Sequence, residues 1–486
     1  MESVYRILGE RKPRKLKARQ ARKLAAAPSA IPLPPLPAIA DARFLLPGNA
    51  DYATYLPLHN KRNDVAPALR IVCTSTQAVS DCVKWVRDNN LPLALRCGGH
   101  CYEGFSQSAG VVIDLRRMGL VTVDAARKMV TVSGGANLGK IYRAVADKGF
   151  AFAGGSCPTV GVAGHALGGG QGLLGRRFGL ACDNLLSIKI VDANGVIKVA
   201  DAVNNSDLFW ACKGGGGGSF GVATGFKFRI HELTHVRTFR IGWKFPNTGA
   251  GRTRAAQVFD AWQKWAPSAP RNITAIMKVQ KASDGQLSLR VIGQSTGSRA
   301  ELESELNTHL IVRPPTSALE IVRKTFMAAI ESFAGSFDYE STYMKAKSDF
   351  VTTPLTAAAM QTLFTGLLAI PAGHVAALCD PYGGAISDVA PSASAFPRRG
   401  ANTYCIQYYS RWANAADTQT RLQRITNVYD AMRPFMPGKA YVNYCDIDQA
   451  NFAASYWGGN LPRLKQVKAA QDAANFFRHA QSVPLP

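Results

Sequence analysis

Two glycine-punctuated segments constrain this chain more than anything else in it. Arg96-Cys97-Gly98-Gly99-His100 closes a short apolar run, and Gly154-Gly155-Ser156-Cys157-Pro158-Thr159-Val160-Gly161 follows downstream. Each joins a glycine turn to a nucleophilic side chain. Glycine lets the backbone approach a large planar or phosphorylated ligand closely. The imidazole and the thiol are two atoms that could bond covalently to such a ligand.

A chain of 486 residues with 47% hydrophobic content is long enough for two or three cores and is globular in composition. No stretch approaches the roughly 20 apolar residues needed to cross a bilayer. The formal charge of +24 is the feature that competes with a small-molecule site. Much of it sits early, in Arg11-Lys12-Pro13-Arg14-Lys15-Leu16-Lys17 and then Arg19, Arg22 and Lys23. Such an arm can bind nucleic acid or an acidic membrane surface. The plainer reading is a solvated tail, and no nucleic-acid partner is expected from it.

The ten cysteines lie mostly in apolar runs and form no C-x-x-C pair, which argues against a disulfide framework. Reduced thiols favour a cytoplasmic setting by default. No apolar core of a signal peptide precedes Ala25-Ala26-Ala27, although export stays open. Cys97 and Cys101 beside His100 invite a zinc reading, but no second ligand pair matches them, so no metal is expected.

Residues 1–47 read as a basic, then Pro-rich, extended extension. From 64 to 233 strand and helix signals alternate: strands at Ala68–Cys73, Leu93–Cys97, Val111–Leu115 and Met129–Ser133, helices at Ala78–Asp88 and Leu138–Lys148. A hairpin turns at Asp192-Ala193-Asn194-Gly195, and Phe220–Ile230 reads as another strand. From 234 to 438 the pattern suggests antiparallel sheet backed by helices. Val236–Phe245, an Ile273–Gly293 hairpin, Val375–Cys379 and Thr403–Tyr409 are its strands. Thr253–Trp265, Arg299–Leu310, Ser317–Phe333 and Thr418–Met432 carry helical periodicity. Residues 439–486 are glycine- and aromatic-rich again and are expected to return to the first domain. The fold class is α+β.

On residue type alone, His100 could be structural and Cys157 a buried thiol. What surrounds them is more specific. Leu95 through Ser106 is similar to the pyrophosphate-cradling loop of the berberine-bridge-enzyme-like FAD oxidases, within the vanillyl-alcohol-oxidase fold family. The second segment and its continuation, Val162-Ala163-Gly164-His165-Ala166-Leu167-Gly168-Gly169-Gly170-Gln171-Gly172, resemble that family over several dozen residues. A dinucleotide fingerprint is the rival for these glycines, but its strand-to-helix context is weak here. Asp207 to Val222, with its glycine run, is a third match, and Tyr441-Val442-Asn443-Tyr444-Cys445-Asp446 a fourth.

The resemblance implies a two-lobed FAD-binding domain of the vanillyl-alcohol-oxidase type plus a substrate domain. It implies FAD held bicovalently, His100 bonding the flavin 8α carbon and Cys157 the C6 carbon. It places Arg96, Cys97, Gly98, Gly99, Cys101, Gly155, Thr159, Gly161, Gly164, Gly168, Val222, Tyr441 and Asn443 against the cofactor. Tyr441–Asp446 would be the active-site strand, with Tyr444 facing the flavin and Asp380 assisting it as in oligosaccharide-oxidising members. The plainer alternative for Asp380 is an ordinary turn residue before Pro381. Gln407 would point to substrate, Val160 would favour reaction with O2, and His165 would be structural. The implied reaction is oxidation of an alcohol, with C1 of a sugar or oligosaccharide as first substrate and an alkaloid or secondary-metabolite alcohol or amine as second. O2 would be the electron acceptor, giving hydrogen peroxide. The oligomeric state stays open.

Overall fold

Short apolar runs buried on both faces build the first lobe. Leu69–Cys73 is buried at every position and pairs in parallel with Val111–Asp114, which in turn pairs in parallel with Leu93–Arg96. Two charges survive in that interior because they neutralise each other: Arg70 and Asp114 form an ion pair at 2.9 Å with both side chains fully buried. The helix Thr76–Asp88, capped by Ser75 Oγ accepting from the Ala78 amide, covers the sheet with Val79, Cys82, Val83 and Val86. This computed structural model describes residues 31–334, 338–400 and 403–486, so the basic arm from Arg11 to Lys23 lies outside the described residues.

The second lobe is a five-stranded antiparallel sheet in the order Val121–Asp124, Met129–Ser133, Val222–Arg229, Leu185–Val191, Ile197–Asp201. Gly195, at φ 75°, turns the hairpin that links the last two of these strands, a conformation that favours glycine. Helix Leu138–Ala146 packs on it through Leu138, Ile141, Tyr142 and Val145. The same core takes in Tyr456, Trp457, Leu464, Val467 and Val483 from the C-terminal segment. The chain therefore ends against the lobe it left more than two hundred residues earlier.

Between those passes lies a seven-stranded antiparallel sheet. Its order is Ser317–Thr325, His235–Phe245, Leu287–Ser295, Ile273–Lys281, Ala376–Pro381, Tyr404–Trp412, Tyr343–Val351. Helices Gly249–Trp265, Ala357–Leu368 and Thr418–Met432 seal one face through Phe259, Trp262, Leu363, Phe364, Ile425 and Val428. The opposite face looks towards the two lobes.

Several elements differ from the sequence reading. Ser317–Phe333 is a strand, Ser317–Thr325, followed by a helix, Phe326–Ala334. Ile321, Val322 and Thr325 are β-branched, and this edge strand is mostly exposed, so it lacks the alternation that marks a buried strand. Arg299–Leu310 loosens after Glu305 into a π turn, Leu306–Leu310. The strand Tyr343–Val351 and the helix Ala357–Leu368 have no counterpart in the sequence reading. Within the supposed extension, Ala42–Leu45 is a strand paired antiparallel with Leu69–Cys73, and Ile31, Leu33 and Ile39 pack on the first core. Residues 31–47 are thus part of the first lobe, because alternate apolar side chains among the prolines find its open sheet edge.

Candidate active site

A cavity of about 1160 Å³ opens where the two lobes meet the free face of the seven-stranded sheet. It exceeds the roughly 300–1,000 Å³ of an ordinary small-molecule pocket. Its walls include Arg96, Cys97, Gly98, Gly99, His100 and Cys101 from one loop. Gly155, Cys157, Thr159, Gly161 and Gly164 come from the second, and Val222 from a strand start. Tyr441, Asn443 and Tyr444 from the C-terminal segment and Asp380 and Gln407 from the large sheet complete it. Gly168 alone among the expected residues is not a wall. A Cβ there would lie 2.0 Å from Asn443 Oδ1, so its lack of a side chain makes room for Asn443.

The glycines do different things at different positions. A Cβ on Gly98 would sit 2.3 Å from the Gly161 amide nitrogen, and one on Gly161 would sit 2.3 Å from Cys97 Sγ. These two glycines bring the two loops into direct backbone contact. Gly155 is braced by His165, whose Nε2 accepts from the Gly155 amide at 3.1 Å. Gly164 is unlike them: a Cβ there meets nothing within 4 Å. With Gly217 and Gly218 it presents bare backbone to the cavity, a surface on which a flat ring or a pyrophosphate can lie.

Burial sets the chemistry of the histidines. His100 stacks on His59 with ring centroids 4.4 Å apart and meets Tyr339 edge-on at 5.3 Å. Burial first, and then the neighbouring His59 and Arg96, hold the His100 pKa well below the ordinary imidazole value. His59 is brought down to about 4, chiefly by burial. His100 is therefore neutral near pH 7 and keeps a lone pair. Its Nε2 is engaged with Thr159 Oγ1 at 3.0 Å, which ties it to the loop that carries Cys157. Arg96, by contrast, spends its guanidinium on the carbonyl oxygens of Tyr55, Leu56 and Pro57.

Across the cavity, the strand Ala376–Pro381 carries Asp380, which is 7% exposed. Tyr444 donates its hydroxyl to Asp380 Oδ2 at 3.2 Å. Desolvation raises the Asp380 carboxyl to about 6, against the opposing pull of that hydrogen bond. Asp380 is in a strand pairing with Cys405, not in a turn. The segment around Tyr444 is likewise a 3-10 turn, Val442–Tyr444, where the resemblance implied a strand. It is anchored by Tyr441 Oη, which accepts from the Gly170 and Gln171 amides, and by Asn443 Nδ2, which donates to the His165 carbonyl at 3.0 Å. These contacts dock the turn on the glycine loop of the second lobe.

Sequence reasoning missed several residues here. Tyr102 stacks parallel to Tyr444, centroids 5.9 Å apart, and accepts from Gln407 Nε2 at 3.0 Å. Tyr409 and Arg411 line the cavity at alternate positions after Gln407, so strand periodicity alone could have found them. His59 gave no signal, since nothing near it in sequence marks a site. Beneath the cavity, Lys345 Nζ contacts Glu103 Oε1 at 2.7 Å and Asp446 Oδ1 at 2.5 Å. Lys347 Nζ lies 2.9 Å from both Asp446 and Asp448. This network joins the His100 loop, the Tyr444 turn and the large sheet. Among the described residues, no group of three or more His, Cys, Asp or Glu could hold a metal ion. No helix among them is long and apolar enough to cross a membrane.

The FAD binding domain family matches residues 67–201, and the family described as berberine and berberine like matches 440–484. The chain is 31% identical over 423 residues to an uncharacterized FAD-linked oxidoreductase, YgaK, of Bacillus subtilis, covering 86% of this chain and 91% of that protein. It is 32% identical over 476 residues to berberine bridge enzyme-like D-1 of Nicotiana tabacum, covering 86% and 83%. The structure superposes on berberine bridge enzyme-like 1 of Physcomitrella patens with a TM-score of 0.83 at 29% identity, covering 92% and 97%.

Proposed function

The chain belongs to the berberine-bridge-enzyme-like FAD-linked oxidoreductases, and on that premise we propose that it oxidises C1 of a sugar or oligosaccharide to a lactone, with O2 as electron acceptor and hydrogen peroxide as product. The observation that carries this reading is the Tyr444–Asp380 hydrogen bond at 3.2 Å inside the cavity. A lone phenol, with a pKa near 10, is a poor base at neutral pH. Asp380, raised only to about 6, is mostly ionised at pH 7 and can receive the Tyr444 proton. Tyr444 then takes the proton of a substrate hydroxyl as it passes its own on. Such general-base help contributes roughly 10²–10⁴-fold.

Bound FAD supplies the redox chemistry, taking up the hydrogen from carbon and delivering electrons to oxygen. The bare backbone at Gly164, Gly217 and Gly218 suits its ring or pyrophosphate. His100 and Cys157 are the residues that would tether it. With Nε2 of His100 engaged by Thr159, Nδ1 is the nitrogen left for a bond to carbon. Tyr441 and Asn443 keep the catalytic turn docked on the glycine loop, and Val160 lines the same cavity.

Gln407, Tyr409 and Arg411 form a polar row along one strand, with Tyr102 facing Gln407. A row of hydrogen-bonding groups favours a polyhydroxylated ring over an apolar alkaloid. The test is a screen of mono- and oligosaccharides against aromatic alcohols and amines, read as peroxide release. Lactone and peroxide from a sugar are expected. Turnover of aromatic alcohols or amines alone overturns the carbohydrate reading.

A further inference from the structure

We propose that Cys101 and Cys445 form a peroxide-sensitive dithiol site, closing to a disulfide that links the His100 loop to the Tyr444 turn. Their sulfurs lie 3.8 Å apart although the residues are 344 positions apart in sequence. Each follows a residue of the proposed chemistry directly, His100 in one case and Tyr444 in the other. Both line the cavity, so a small oxidant made there reaches them.

The two thiols are not equivalent. The two sulfurs share a hydrogen bond at 3.8 Å, and the Phe105 amide donates to Cys101 Sγ at 3.3 Å, which favours negative charge on Cys101. The hydrogen bond shared with Cys445 is the main reason that the Cys101 pKa falls below the ordinary thiol value, and the Phe105 amide adds to it. The same hydrogen bond, then burial, raises Cys445. Cys101 is therefore the nucleophile and Cys445 the resolving thiol.

The chemistry balances. Cys101 thiolate attacks one peroxide oxygen, the O–O bond breaks, and a sulfenic acid and hydroxide result. Cys445 sulfur then attacks that sulfenic sulfur, the S–S bond forms, and the second oxygen leaves as water. Two thiols are oxidised by two electrons and one peroxide becomes two waters. A disulfide needs its sulfurs about 2.05 Å apart, so closure requires less than about 2 Å of movement. Tyr102 and Tyr444, stacked parallel and each adjacent to one of the cysteines, move with it.

Another close pair serves as an internal control. Cys73 and Cys82 lie 3.9 Å apart, but both are fully buried in the first core, and neither lines the cavity. The hydrogen bond that Cys73 donates to Cys82, and then burial, raise the Cys73 thiol, and no oxidant made in the cavity reaches the pair.

Peroxide as the natural oxidant rests on the oxidase reading above, whereas the response of the dithiol to added peroxide does not. The flavin-loaded protein is treated with hydrogen peroxide, remaining thiols are alkylated, and peptides are mapped without reduction. One linked species joining Cys101 to Cys445, lighter by two hydrogens, is expected, with fragmentation separating Cys101 from nearby Cys97. Both cysteines regain alkylation after dithiothreitol. The visible flavin spectrum is expected to shift on oxidation and return on reduction in the parent, and to stay constant in Cys445→Ser. Full alkylation of both cysteines after peroxide, or a bridge at Cys73–Cys82 alone, overturns the proposal. An equal spectral shift in Cys445→Ser overturns it as well. A sugar screen without turnover would remove the oxidase reading and leave this result standing.

Discussion

Tyr444 and Asp380 meet across a domain boundary: a 3-10 turn from the C-terminal segment hands its hydroxyl hydrogen to a carboxylate on the fifth strand of the large sheet, 3.2 Å away. Neither element alone makes a base. Together, on the proposed reading, they would form a two-step proton path inside a cavity.

Replacing Tyr444 by Phe removes the proton path and keeps the ring stacked on Tyr102. Turnover should fall by roughly 10²–10⁴-fold. Bound flavin, read by visible absorbance, should be unchanged. Retained turnover would take Tyr444 out of the mechanism.

Asp380 predicts the acid limb of the pH profile. Its carboxyl is raised to about 6, and it must be ionised to accept the Tyr444 proton, so kcat should rise with pH through about 6. The stability effect has the opposite sign. Folded Asp380 holds its proton more tightly than the unfolded chain does, so its contribution is fully present below about 4 and is lost as pH rises through about 6. Asp380→Asn should lower turnover, remove the acid limb and stabilise the fold at neutral pH by an amount on the order of 3 kcal/mol. Denaturant unfolding at pH 5 and pH 7.5 measures this.

The two proposed tethers, at His100 and Cys157, predict a simple pattern of colour. Acid-precipitated wild type should remain yellow, as should His100→Ala and Cys157→Ala, each through the remaining bond. The double variant should precipitate colourless. A yellow supernatant from the wild type would show that the flavin is not covalently held.

The glycines separate packing from binding. Gly98→Ala places a Cβ 2.3 Å from the Gly161 backbone, so it should destabilise the protein, by about 1–3 kcal/mol for such overpacking. A Cβ at Gly164 meets nothing within 4 Å, so Gly164→Ala should leave the apoprotein's folding nearly unchanged while reducing flavin content. Thermal unfolding and the ratio of visible to ultraviolet absorbance read the two effects separately.

Lys345 is 1% exposed and lies between Glu103 and Asp446. Lys345→Met keeps much of its bulk but strips compensation from two buried carboxylates. A loss of about 3 kcal/mol in unfolding free energy is expected, in keeping with other broken buried pairs. An unchanged denaturation midpoint would mean that Lys347 and Arg62 suffice to neutralise the cluster.

Local order was legible wherever short-range physics decides it. The hairpins at Gly195 and Gly285, at φ 75° and 82°, follow from turn chemistry, and the helix Thr76–Asp88 follows from periodicity, although the sequence reading starts it at Ala78 and omits its Ser75 cap. Tyr343–Val351 was not legible, because Lys345, Lys347 and Asp349 read as a solvated stretch until their partners Glu103, Asp446 and Arg433 are known. The strand Ser317–Thr325 was misread because an exposed edge strand buries too little to impose alternation.

The glycine loops, the paired nucleophiles His100 and Cys157 and the C-terminal tyrosines are written in the chain itself, since turn geometry and reactive side chains are local properties. What only tertiary structure decided is which of them meet. Gly98 packs on Gly161, Tyr102 stacks on Tyr444, and Cys101 faces Cys445, because the C-terminal segment returns to the second lobe and carries residues hundreds of positions apart into one cavity. Such contacts depend on burying a shared core, and no stretch of sequence encodes that separately.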